Sequence, residues 1–181
     1  MEYIHKLETT VSGWVKNVPH LPVSGQKWLA QNVWWLVLIG AIISGISFLI
    51  SLTTIAGLVA IIGTTSSFYY ASESILTLAI LSSIVALVFI GLEGLLLALA
   101  VKPLKAQQKK GWVILFALLL LNVISTVVNA IFTFSVGGFI IGIIFGAIWL
   151  AIFAYFLFEI RGQFAHVTKT VGVKKAAAKK E

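Results

Sequence analysis

The sequence predicts an all-α fold: an integral membrane four-helix bundle preceded by an amphipathic N-terminal helix. Three observations carry that prediction. The 181 residues are 60% apolar and only 10% charged. Soluble domains sit near ~45–50% and ~25%, so this chain has too few charges to cover a surface facing water. The apolar residues fall in four long stretches, each near the ~20 residues that cross a ~30 Å hydrocarbon core. Finally, all 13 Lys and Arg lie before the first stretch, between the second and third, or at and beyond the end of the fourth, where Arg161 stands.

Residues 1–31 form the N-terminal segment. Ile4, Leu7, Val11, Trp14, Val15 and Val18 share one arc at helical spacing, with Glu2, Lys6 and Lys16 opposite. Two placements fit such a helix: flat on the inner leaflet, or against the cytoplasmic ends of the bundle. Pro19 and Pro22 end it, and Ser24 offers an N-cap for the helix that follows. The segment has no apolar run of signal-peptide length, so the first span is expected to be retained as a signal anchor.

The membrane bundle is expected over 32–161. The uncharged stretch from Val33 to Ile62 is too long for one upright helix, so its span is placed at about 32–54. Gly57, Gly63 and the run Thr64-Thr65-Ser66-Ser67 then predict a break, with 55–62 a tilted continuation or a short outer helix. The second span covers 74–101 and is interrupted only by Glu93. The third covers 111–135 without a charge, and the fourth 138–161. The tight turn at Val136-Gly137-Gly138 makes the last two an antiparallel hairpin. The tail, 162–181, is rich in Ala and Lys, has little to bury and is expected to be mobile.

The lysines set the orientation. The loops near 55–73 and 135–138 carry no basic residue, so the positive-inside rule puts both termini and the middle loop in the cytoplasm. Lys174, Lys175, Lys179 and Lys180, with Lys169, then serve as an orientation signal and as contacts for anionic lipid headgroups. No aromatic interleaving accompanies them, so no nucleic-acid partner is expected. Trp28, Trp34, Trp35 and Trp112 fall at the inner boundary and Phe68, Tyr69 and Tyr70 near the outer one, as aromatic belts do. Trp149 is placed mid-span, between helices or against lipid.

Lipid supplies little hydrophobic push between helices, so packing relies on small and polar residues. Each span carries such a stripe: Gly40, Ser44, Ser47, Ser51 and Thr54 in the first, and Ala79, Ser82, Ala86, Glu93 and Ala100 in the second. Asn122, Thr126, Asn129 and Thr133 mark the third, and Gly138, Gly142 and Gly146 repeat every fourth residue in the last. The glycine stripe serves packing within the chain or pairing with a second copy.

Glu93 is the one ionisable residue well inside a span. Intramembrane carboxylates face protein or water and often mark function. Glu93, Asn122 and Ser44 fall at similar depth, with Asn129 two turns beyond Asn122, and make a candidate polar cluster. Three roles fit Glu93: a proton or cation site, a hydrogen-bonded lock between helices, or a side chain reaching to the inner surface.

Other chemistry is absent from the sequence. There is no cysteine, which removes disulfides and thiol catalysis. His5, His20 and His166 lie in the termini, far from the span serines, so neither a metal site nor a Ser-His-acid set is expected. No phosphate-binding loop or dinucleotide fingerprint occurs. Glu159 and Arg161 are read as interfacial charges. No enzyme activity and no cofactor are expected.

Two stretches carry a resemblance. Lys109-Lys110-Gly111-Trp112 opens the third span, and Ala154-Tyr155-Phe156-Leu157-Phe158-Glu159-Ile160-Arg161 closes the fourth. Together they resemble small, uncharacterised four-span bacterial membrane proteins, over about the second half of the chain. That resemblance implies a bacterial plasma-membrane home and brings no activity or site residue. The expected function is a structural or accessory role through helix contacts, in a homo-oligomer or with a membrane partner. The alternative is a small-solute or ion transporter or channel subunit that uses Glu93.

Overall fold

In the computed structural model the described residues are 10, 13, 18–65, 73–132 and 136–177. They form four helices: α1 (Val23–Thr65), α2 (Glu73–Lys105), α3 (Lys109–Ile131) and α4 (Val136–Ala177). All four are long and apolar enough to cross a membrane, and no strand occurs among the described residues. The amphipathic helix expected at 2–18 and the outer aromatics Phe68, Tyr69 and Tyr70 lie outside the described residues, Thr10, Gly13 and Val18 apart.

Three boundaries differ from the sequence expectation. Gly57 does not interrupt α1, which runs unbroken to Thr65. A break inside hydrocarbon would leave backbone N–H and C=O groups without partners, at a cost far above the ~1 kcal/mol penalty of a helical glycine. Ser24 is not the N-cap: α1 begins at Val23, and Gln26 N–H already donates to Pro22 O at 3.0 Å. The fourth helix does not stop at residue 161: α4 continues past Arg161 to Ala177. The Ala and Lys there are good helix formers, and the span beneath supplies the costly nucleus.

Successive helices pack side by side in an up-and-down bundle: α1 on α2, α2 on α3 and α3 on α4. The α1–α2 seam is a zipper of small residues. An added Cβ on Gly94 would stand 3.0 Å from Ser44 Oγ, and one on Gly91 would stand 3.2 Å from the Phe48 ring. Gly40 meets Leu97 at ordinary contact distance. Close approach of this kind substitutes for the hydrophobic drive that lipid removes.

The core gathers at the end that carries the α2–α3 turn. Leu97, Ala100, Leu104, Trp112, Leu115, Phe116, Leu119, Leu157, Ile160 and Phe164 are buried there. Trp112 was expected among the wet rings of the inner boundary, but it is sealed in this core. It stacks on Phe116 at 5.5 Å, meets Phe158 edge-on, and its Nε1–H donates to Leu157 O at 2.8 Å. Pro103 sits in the last turn of α2, where its missing N–H costs only one helical bond. The turn closes through Gln107, whose φ of 50° is left-handed, and Gln108 N–H donates to Pro103 O at 2.8 Å.

The two hairpins are unequal. From Leu104 back to Glu73, α2 climbs roughly 46 Å, whereas α3 climbs roughly 30 Å from Gly111 to Ile131. The α1–α2 pair therefore reaches about three turns further at the end opposite the α2–α3 turn.

Candidate functional site

Two polar places stand out in an otherwise apolar bundle, one at mid-depth and one at the end that carries the α2–α3 turn.

The mid-depth place holds the residues singled out from the sequence. Ser44 is buried, and its hydroxyl donates across the seam to Ile90 O at 3.0 Å. Asn122 donates from Nδ2 to Leu118 O at 3.0 Å, and Thr126 donates to Asn122 O at 2.8 Å. Asn129 donates to Ser125 O at 2.8 Å and to the Ser125 hydroxyl. These bonds keep each side chain against backbone one turn away, except that of Ser44. Glu93 lies one turn outward from Leu97 and is half-buried. Counted from the Leu104–Gly111 contact, Glu93 on α2 and Asn122 on α3 are the same number of residues away and so stand level. Among the described residues no hydrogen bond or ion pair joins Glu93 to Asn122, to Ser44 or to any other group.

The glycine stripe of α4 divides. Gly146 is pressed against Thr126, whose methyl would stand 2.5 Å from an added Cβ. Gly142 has nothing within 4 Å, and Gly138 is half-buried. Of the tail lysines, Lys174 and Lys175 fall within α4, while Lys179 and Lys180 lie outside the described residues.

The place at the turn end centres on Glu159, which from the sequence alone reads only as an interfacial charge. Glu159 is not an exposed interfacial charge: its side chain is 1% exposed. His20 Nδ1 lies 2.6 Å from Oε1, and Leu21 N–H and Gln26 Nε2 each donate to Oε2 at 3.0 Å. Gln26 Nε2 also donates to Leu21 O, and one turn earlier on α4 Tyr155 donates to Pro19 O at 2.8 Å. A buried carboxylate is tolerated only with its oxygens satisfied, and here they are. The geometry pins residues 19–26 against α4 and so ties the start of the first helix to the last. The signal was present in the spacing: Tyr155 and Glu159 share a helix face at i, i+4, at the membrane end where the prolines turn the chain.

Further from the turn end than this tie, α1 and α4 separate. A recess of about 540 Å³ opens between them, lined only by apolar side chains, among them Val33, Val37, Leu97, Leu118, Phe153 and Ile160. Trp149, 69% exposed, stands at its rim. Cations meet aromatics at the turn end of the bundle, with Lys105 4.9 Å over the Trp34 ring and Arg161 5.7 Å over Trp112. Among the described residues there is no group of three or more metal-ligating side chains. The arrangement supplies anchoring and close helix contact; none of the bonds above pairs a nucleophile with a base. No family model, curated protein or solved structure matches the chain.

Proposed function

We propose that the protein is a structural or accessory protein of the bacterial plasma membrane, with both termini cytoplasmic, that acts through helix contacts with a second copy or a membrane partner. The fold fits a multi-pass membrane protein. The observation that carries the finer reading is the outer face of α4, where Gly142 has nothing within 4 Å and Phe145 and Trp149 follow at helical spacing, each 69% exposed. An open glycine beside large rings is the pattern that lets a second helix approach closely.

A reporter domain fused after Glu181 serves as the test. It is expected to be active in the cytoplasm and, purified in mild detergent, to bring the chain out as an oligomer or with a fixed partner. Gly142→Leu should weaken that association about tenfold, the scale of one close helix contact. A wild-type chain that always elutes alone as a monomer overturns the contact role, and an external reporter signal overturns the orientation.

One observation favours a second reading, solute or ion transport. Glu93 is a half-buried carboxyl in mid-helix with no bond to another described residue. In vesicles with an imposed pH gradient, Glu93→Gln should then abolish proton-coupled uptake while the helical content stays unchanged. Equal proton flux in both proteins removes the transport role.

A further inference from the structure

At the inner turn, a second recess of about 510 Å³ lies between α2 and α3. Its wall changes character along its length. Leu99 and Ile114 line the apolar part, and Lys102, Gln108 and Lys110 the polar part. Both lysines are exposed, and among the described residues neither has an acidic partner. The sequence offers none nearby, since no Asp or Glu occurs between Glu93 and Glu159. Lys105, the neighbour, is already engaged over Trp34. The positive end of the α3 helix adds to the field, because Gln108 makes no side-chain cap bond to its first N–H groups.

A cationic rim continuous with an apolar wall matches one chemistry, a phosphate diester carrying a hydrocarbon chain. A free phosphate would leave the Leu99 and Ile114 walls unused, and a neutral lipid would leave two cations without a counter-charge. We propose that this recess binds an anionic phospholipid of the inner leaflet, its phosphate between Lys102 and Lys110 and its acyl chain along Leu99 and Ile114. Basic recesses between membrane helices on the cytoplasmic side bind such headgroups. This site rests on the membrane reading above and is distinct from the tail lysines expected to touch lipid.

The test uses the full chain reconstituted in vesicles of phosphatidylcholine with phosphatidylglycerol, followed by native mass spectrometry of the released protein. Wild type is expected to retain one phosphatidylglycerol. Lys102→Gln/Lys110→Gln should bind it about 30-fold more weakly, two lysines' worth of surface attraction, and Lys102→Arg/Lys110→Arg should restore retention. A variant with Lys174, Lys175, Lys179 and Lys180 all changed to Gln should still retain the one tightly held phosphatidylglycerol that Lys102→Gln/Lys110→Gln loses. Equal retention by the wild-type and Gln proteins overturns the site. Displacement of the lipid by millimolar inorganic phosphate also overturns it, in favour of a free-phosphate site. Carbonate extraction keeps the two readings apart: a chain washed from the vesicles refutes membrane integration itself, whereas an integrated chain that retains no lipid refutes only this site.

Discussion

Gly111→Ala is expected to lower the thermal unfolding temperature of the detergent-solubilised protein well below that of Gly94→Ala or Gly142→Ala. The added Cβ would lie 2.8 Å from the Leu104 backbone nitrogen and 2.9 Å from two of its side-chain carbons. A flexible side chain can turn aside; this backbone cannot. Leu104 is completely buried, and it precedes a turn already committed to a left-handed residue at Gln107. Overpacking costs ~1–3 kcal/mol where side chains absorb it, so a backbone obstruction should reach about 3 kcal/mol. Two comparisons calibrate the series. Gly142→Ala enters open space and should melt as wild type does, while Gly94→Ala meets only the Ser44 hydroxyl and should fall between. The helical circular dichroism signal followed with temperature is the measurement. A Gly111→Ala protein that melts with wild type would show that the α2–α3 turn is looser than the structure has it.

Glu159→Ala is the second large effect. It removes the acceptor of Leu21 N–H and of Gln26 Nε2, and the partner of His20. Groups bonded to a charge in a buried site lose about 2–3 kcal/mol when the charge is deleted. Much of that loss should appear locally, as release of residues 19–26 from α4. Trypsin reads it directly, because Lys16 and Lys27 flank the pinned segment. Cleavage there should rise by about 30-fold, the population change that 2 kcal/mol brings. His20→Ala should do less, since the His20 side chain is 57% exposed and water can replace it. Equal digestion of wild type and Glu159→Ala would mean that the segment is held by something other than the carboxylate.

Composition and charge placement made the architecture legible before any coordinates. Uncharged stretches of membrane length have only one way to satisfy their backbone in lipid, which is why helix number survived every local uncertainty. Local punctuation misled for the same reason. Gly57 read as a break by the rules of soluble chains and the fourth helix was expected to end at 161, but a helix with no competing hydrogen-bond partner runs through a glycine, and a nucleated helix propagates into alanine and lysine. The common depth of Glu93 and Asn122 followed from counting residues at a fixed rise. Which side chains bond was not legible, because Ser and Asn in a helix often turn back to their own carbonyls, as Asn122 does to Leu118. Glu159 escaped notice because its partners, His20, Leu21 and Gln26, are remote in sequence and only the closed bundle brings them together.

The unequal hairpins have a mechanical consequence for the surrounding bilayer. A sheet of lipid with a single thickness cannot match a roughly 46 Å climb on one flank and a roughly 30 Å climb on the other. Lipid beside α1 and α2 must stretch or those helices must tilt, while lipid beside α3 and α4 stays relaxed. The strain is therefore one-sided, confined to the flank that α1 and α2 present. The mismatch on that flank should shrink in bilayers of longer acyl chains and grow in thinner ones.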